Sequence, residues 1–289
     1  PLPVLVNQAA GSLSRASPAD DLPGAAESAG IPIEIMVCDG PGVMRQTVCR
    51  LRDQGAGTIA VAGGDGTVAL VAQELAHTTV DLGIIPAGTA NNFATALGLP
   101  RDWREALEVV RDGGTERVDL GKAGERYFTE SAGVGLFADS LEYYGRRTGK
   151  HFGKLVYAAG RLLMSARARR MKLTIDGEQV VERAVMCEVA NTYRMGLGAP
   201  VAPEANPADG WLDVVLIGDL SRWELLRYYR AVMAERHLEL PKVKATRARR
   251  VTIEALHPMN VHCDDRIIGT TPAEFSVARA ALRVRVPRS

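Results

Sequence analysis

A chain of 289 residues is longer than one hydrophobic core usually serves, so two domains of roughly 100 to 170 residues are expected. With 46% hydrophobic and 24% charged residues, the composition excludes a disordered chain, and a net charge of +1 excludes a whole-molecule field that would draw it onto nucleic acid. The four cysteines lack any paired spacing, which excludes a disulfide scaffold. No apolar run reaches the roughly 18 residues of a membrane span, so a cytoplasmic location is expected.

From Pro3 to Leu120 short Val- and Ile-rich runs alternate with stretches of helical spacing, the pattern of βαβ units in a doubly wound parallel sheet. The runs Val4 to Val6, Ile33 to Val37, Thr58 to Ala62 and Leu82 to Ile85 are predicted strands. Met44, Val48 and Leu51 mark the buried face of one intervening helix, and Val68, Val71, Ala72 and Leu75 that of the next. Beyond Leu120 the rhythm changes to many short β-prone runs. These are Arg126 to Thr129, Met171 to Ile175, Ala184 to Ala190, Trp211 to Ile217, Arg250 to Glu254, Asn260 to Cys263, Glu274 to Val277 and Leu282 to Val286. They predict an antiparallel β-sandwich with helical insertions at Leu155 to Ala166 and Trp223 to Met233. The expected domains are 1–122, α/β, and 123–289, all-β, with the last strand free to return to the first domain.

Gly63-Gly64-Asp65-Gly66-Thr67 lies between a strand and a helix at the carboxyl edge of the parallel sheet, where backbone N–H groups bind anions. Glycine there lets the chain turn sharply, often with positive φ, and lets phosphate oxygens reach bare backbone. An acid in such a cradle, Asp65, repels a phosphate unless Mg²⁺ lies between them or the carboxylate accepts a proton from the nucleophile. Asn7-Gln8-Ala9-Ala10-Gly11-Ser12 after the first strand and Pro86 to Phe93 after the fourth add two further Gly/Ser/Thr/Asn loops at the same sheet edge.

Gly-Gly-Asp-Gly-Thr followed by Leu82-Gly83-Ile84-Ile85-Pro86-Ala87-Gly88-Thr89-Ala90-Asn91-Asn92-Phe93-Ala94 resembles the catalytic domain of the diacylglycerol kinase family, bacterial branch, which is related to sphingosine and ceramide kinases. Val118-Asp119-Leu120-Gly121, Ala202-Pro203-Glu204-Ala205, Asp209-Gly210-Trp211-Leu212-Asp213 and Pro272-Ala273-Glu274-Phe275 extend the resemblance over most of the chain. It implies an ATP-binding domain, a β-sandwich lipid domain, and transfer of the γ-phosphate of ATP to a lipid hydroxyl, foremost that of diacylglycerol to give phosphatidic acid. It makes Asn7, Gly64, Thr67 and Thr89 nucleotide contacts, with Gly63, Gly66, Gly88, Asn91 and Asn92 completing the loops. Asp65 and Asp119 would organise Mg²⁺, and Asp209 or Asp213 would hold a second metal. An NAD kinase shares the Gly-rich turn but differs in the next loop; a nucleotide-binding regulator with weak catalysis is the other alternative.

Four positions depart from the family pattern: Gln8 for proline, Asn92 for aspartate, Ala208 for an acid, and Arg266 for the glutamate of an Asp-Gly-Glu turn that the resemblance makes the general base. Arg266 stays protonated and cannot serve as a base. Asp264, Asp265 and Asp65 are the remaining candidates. His262 and Cys263 alternate across a strand and do not assemble a zinc site. Between Glu142 and Asp176 there is no acid, whereas Arg146, Arg147, Lys150, Lys154, Arg161, Arg167, Arg169, Arg170 and Lys172 all fall there. That stretch is the expected contact with an anionic membrane surface, giving a peripheral association. Few aromatics interleave with it, which argues against nucleic acid. A homodimer is a further expectation.

Overall fold

The computed structural model describes residues 1–7, 18–145 and 166–288. The chain divides into two compact units, one of residues 1–120, 207–209 and 278–289, the other of residues 121–206 and 210–277.

In the first unit β1 (Leu2–Asn7) lies between β2 (Ile33–Cys38) and β3 (Thr58–Gly63), with β4 (Asp81–Pro86) beyond β3, all parallel. Each strand is a β-branched run, and Val4, Leu5, Ile59 to Val61 and Leu82 to Ile85 are buried, as strands covered on both faces require. The helices are α1 (Pro18–Ser28), α2 (Gly40–Asp53), α3 (Asp65–Leu75), α4 (Asn92–Ala96) and α5 (Trp103–Asp112). α1 and α5 pack Leu22, Ala26, Leu107 and Val110 against Val4, Val6, Ala60 and Ala62. Met44, Val48 and Leu51 of α2 and Val68, Val71, Ala72 and Leu75 of α3 are buried, as their spacing predicts. The order β2-β1-β3-β4 reverses its winding between β1 and β3. The carboxyl ends of those two strands therefore flank the topological switch point at which open α/β sheets bind ligands.

The C-terminal end of the chain joins this sheet: Arg283 and Val284 pair in parallel with Asp81 and Leu82. Asp81, nearly buried, holds it there, accepting from Arg283 Nε at 2.6 Å and from Thr115 Oγ1 at 2.6 Å.

The second unit is a β-sandwich-like domain. Its elements are the end of β5 (Gly114–Ala123), β6 (Arg126–Phe128), β7 (Ser131–Gly135), α6 (Leu136–Gly145), β8 (Arg169–Ile175), β9 (Glu178–Ala190), β10 (Leu212–Gly218), α7 (Arg222–Met233), β11 (Val243–Ala248), β12 (Arg250–Ala255), β13 (Asn260–Cys263), β14 (Arg266–Thr270) and the start of β15 (Ala273–Val286). Neighbouring strands are antiparallel, in the order β14-β13-β7-β9-β8-β12-β15. β9 pairs with β8 along its first half and with both β7 and β10 along its second. Side-chain alternation separates two cores. Leu212, Val214 and Leu216 of β10 join Phe128, Leu173, Val251 and Phe275 in one. Val215 and Ile217 meet Leu225, Tyr228 and Val232 of α7 in the other.

Four strands, β5, β7, β11 and β14, were not among the predicted runs. β7 is Ser-Ala-Gly-Val-Gly, poor in β-formers, and β11 is polar and mostly exposed, so neither reads as a strand without its partners. Glu274 to Val277 and Leu282 to Val286 belong to one continuous strand, β15, which absorbs Ala280 at φ +50°. The predicted helix at 223–233 is α7, and the one at 155–166 lies outside the described residues apart from its final position.

Candidate active site

β3 delivers its carboxyl end to Gly63 and Gly64, and α3 begins at Asp65, so its first free N–H groups face the switch point. Asn7, the last residue of β1, donates from Nδ2 to Thr67 Oγ1 at 3.2 Å and closes the crevice between β1 and β3. The Pro86 to Phe93 loop approaches from β4: Ala87 N–H donates to Gly63 O at 3.0 Å. Gly64 and Gly88 then touch backbone to backbone, for a Cβ on Gly88 would lie 2.4 Å from Gly64 Cα and one on Gly64 would lie 2.9 Å from Gly88 Cα. Close approach, not positive φ, is what requires glycine here. Gly64 has φ −92°, and Gly63, Gly66 and Gly88 also lie outside the left-handed region, contrary to the sequence expectation.

Asn91 fixes the second loop. It adopts the left-handed conformation at φ +52°, accepts from Gly88 N–H at 2.9 Å and donates Nδ2 to Gly88 O at 3.0 Å. Thr89 stands exposed at the loop tip, and Asn92 is buried behind it. Asn7, Gly63, Gly64, Thr67, Gly88 and Asn91 thus meet in one constellation. Gln8 to Ser12, the remainder of the first loop, lie outside the described residues.

Asp65 does more than sit beside the cradle. Its Oδ1 accepts from Phe93 N–H at 3.2 Å, tying the start of α3 to the start of α4. Burial raises its pKa, and backbone donors at Phe93, Asn91 and Asn92 act the other way. Asp119 is buried in β5 and accepts from Ala280 N–H at 2.7 Å, while its own N–H donates to Pro207 O at 2.6 Å. This brings the chain next to Asp209 into the first unit. Asp213 is in the second unit, on β10, with its Oδ2 3.9 Å from Arg247 Nε. Among the described residues no three His, Cys, Asp or Glu side chains converge as metal ligands.

In the second unit Asp264 turns the chain between β13 and β14 at φ +49°. Its carboxylate accepts N–H groups from Thr129 at 3.1 Å, Glu130 at 2.9 Å and Ser131 at 3.3 Å, with Thr129 Oγ1 at 3.4 Å. Burial raises its pKa to about 6 against those donors. A carboxylate so engaged holds the turn. Asp265 and Arg266 beside it are exposed, 3.5 Å apart.

Sequence reasoning missed what lies beneath this turn. His262 and Glu188 are fully enclosed, with Nε2 to Oε1 at 2.8 Å. His262 Nδ1 lies 3.1 Å from Asp264 O and, a carbonyl being only an acceptor, must carry a hydrogen. Burial depresses the imidazole pKa, while Glu188 and the Asp264 carbonyl and carboxylate raise it, and the net shift is upward. Gly133 leaves the room: a Cβ there would lie 2.9 Å from Glu188 Oε2. A single acid inside the apolar run Val185 to Ala190 was the available signal.

Of the basic stretch Arg146 to Lys172, residues 146–165 lie outside the described residues. Arg169 and Lys172 are on β8 and are ion-paired, with Asp139 at 3.6 Å and Glu254 at 3.1 Å.

Residues 1–123 match the profile of the diacylglycerol kinase catalytic domain, and residues 133–286 match that of the YegS C-terminal NAD kinase beta sandwich-like domain. The chain is 35% identical to a diacylglycerol kinase of Mycobacterium tuberculosis over 244 residues, which cover 81% of this chain and 78% of that protein. It is 28% identical to a diacylglycerol kinase of Bacillus subtilis over 235 residues, 80% of this chain and 78% of the relative. The crystal structure of a diacylglycerol kinase from Bacillus anthracis superposes with a TM-score of 0.74 at 20% identity, covering 99% of this chain and 96% of the other, and so shares the fold.

Proposed function

The chain belongs to the diacylglycerol kinase family and is a lipid kinase, and we propose that it transfers the γ-phosphoryl group of ATP to the free hydroxyl of diacylglycerol, yielding phosphatidic acid. The observation that carries this reading is the switch-point constellation, in which Asn7 bridges to Thr67 and the Gly64 and Gly88 backbones touch. Loops packed this closely leave the first N–H groups of α3 facing a polyphosphate without a Cβ from Gly64 or Gly88 intervening.

Phosphoryl transfer needs alignment and charge neutralisation more than covalent help. Mg²⁺, when bound, supplies neutralisation of the β- and γ-phosphates, and it asks for only one or two protein carboxylates, which in the first unit Asp65 and Asp119 would provide. Asp65 also orients the second loop through Phe93 N–H. With Asp264 holding the Thr129 to Ser131 backbone and Asp265 paired to Arg266, Asp65 is our choice for the group that takes the hydroxyl proton. A carboxylate raised by burial is better matched to that task than an exposed one.

Labelled ATP offered with diacylglycerol, ceramide, sphingosine and NAD tests the proposal. Label in phosphatidic acid is expected; label in NAD or in another lipid overturns the assignment. Arg266 favours one second reading, a nucleotide-binding protein with slow transfer, and saturable ATP binding with no labelled product would select it. Arg266→Glu separates the two assignments of the base. Turnover within about twofold of wild type is expected if Asp65 is the base, and a rise of about tenfold or more would move that role to β14.

A further inference from the structure

α7 is a stable helix with two apolar faces. Ser221 caps it, accepting from Glu224 N–H at 3.3 Å while Glu224 Oε2 accepts from Ser221 N–H at 2.8 Å. One face, Leu225, Tyr228 and Val232, is buried against β10. The opposite face is apolar as well: Trp223 is 82% exposed, Leu226 37%, Tyr229 64% and Met233 60%. These positions recur every three or four residues and form one stripe. Arg222, Arg227 and Arg230 flank it, all exposed and with no ion pair among the described residues.

From this arrangement we propose that α7 lies on an anionic phospholipid surface, with Trp223, Leu226, Tyr229 and Met233 entering the headgroup boundary and the three arginines meeting lipid phosphates. Charge complementarity selects this occupant. The helix has one acid, Glu224, which is committed to Ser221 N–H and to Lys242, 2.9 Å away, so the charge left unpaired on the helix is positive. A second copy of the same face would set arginine against arginine. The basic stretch between Glu142 and Asp176 contains no acid to answer them either. A bilayer offers both what the stripe lacks, apolar depth and negative charge, and Trp and Tyr are the side chains suited to its boundary. A second contact holds the helix end in place: Arg194, 3.0 Å from Glu235 just past α7, also donates to Gly198 O, fixing the loop that exposes Leu197. The choice of a lipid partner rests on the lipid-kinase reading; the placement on α7 rests on the exposed stripe alone.

Vesicles of phosphatidylcholine, with and without phosphatidylglycerol, test this on the whole chain. Tryptophan emission should be quenched by brominated acyl chains in the wild type but not in Trp223→Phe. Leu226→Glu with Met233→Glu should weaken partition onto anionic vesicles by about tenfold or more. Each of Arg222→Gln, Arg227→Gln and Arg230→Gln should weaken it about fivefold, an effect that high salt removes. All these positions are exposed, so melting temperatures should not move. Phosphorylation of a water-dispersed short-chain diacylglycerol should stay at the wild-type rate. Unchanged partition in the Glu variants, equal binding to neutral vesicles, or a dimer that the Glu variants dissociate would overturn the proposal. Failure to phosphorylate any diacylglycerol would leave the vesicle measurements readable and strike only the substrate assignment.

Discussion

Two aspartates in different units perform the same local task in different surroundings. Asp65 and Asp264 each gather backbone N–H groups from a neighbouring loop, Asn91 to Phe93 in one case and Thr129 to Ser131 in the other. Asp264 is half-buried, and its four donors set both carboxylate oxygens to holding a turn above the enclosed His262–Glu188 pair. Asp65, equally half-buried, opens a helix at the switch point between β1 and β3. The difference teaches that a shifted carboxylate is a functional candidate by what it stands beside, not by its burial alone.

The largest effect should come from removing Asp264. Asp264→Ala orphans three buried N–H groups and should destabilise the second unit by about 3–5 kcal/mol, measured by urea unfolding. Asp265→Ala next to it should stay within about 0.5 kcal/mol; equal effects at the two sites would dissolve the contrast.

Asp65→Asn should divide the same way but in kinetics. The amide oxygen still accepts from Phe93 N–H but the amide NH2 cannot accept from Asn91 or Asn92, so a modest fall in melting temperature is expected, while turnover falls by about 10²–10³-fold because the charge and the base are lost. Near-normal turnover would remove Asp65 from the chemistry and leave it a loop anchor like Asp264.

Gly88→Ala probes the crevice without touching either aspartate. A Cβ 2.4 Å from Gly64 Cα forces the loops apart, and a destabilisation of about 1–3 kcal/mol with weaker ATP binding is expected, measured by melting and by nucleotide titration. Wild-type ATP affinity in that variant would mean that the two loops do not act together.

The remaining effect is a pH dependence. The folded pKa of Asp264, about 6, lies above its unfolded value, so the folded state holds the proton in the window between. Stability from this group is therefore fully present below about pH 4 and is lost as pH rises to about 6, then constant. Asp264→Asn should flatten that slope in melts taken across the window; an identical slope would assign the titration to another group.

Much of the first unit is legible without coordinates, because parallel strands buried on both faces are written as uninterrupted Val/Ile runs and their helices as 3.6-residue stripes. The two described loops of the crevice follow from the ends of β3 and β4, since the strand order leaves them on one edge. The second unit is less legible. β7, with two glycines in five residues, and β11, with its Lys, Thr and Arg, are strands only because β9, β10 and β13 supply partners. The glycines of the turn announce a cradle, yet their physical reason, contact between Gly64 and Gly88, joins residues distant in sequence. Asp264 looks like a base in the sequence and in the structure holds the Thr129 to Ser131 backbone, a partnership between residues far apart in the chain. Composition, periodicity and the Gly-Gly-Asp-Gly-Thr turn alone determine an α/β domain with an anion cradle followed by a β-rich domain. Which backbone groups each carboxylate gathers and which helix face remains uncovered are decided by tertiary packing, since exposure belongs to the assembled surface rather than to any residue.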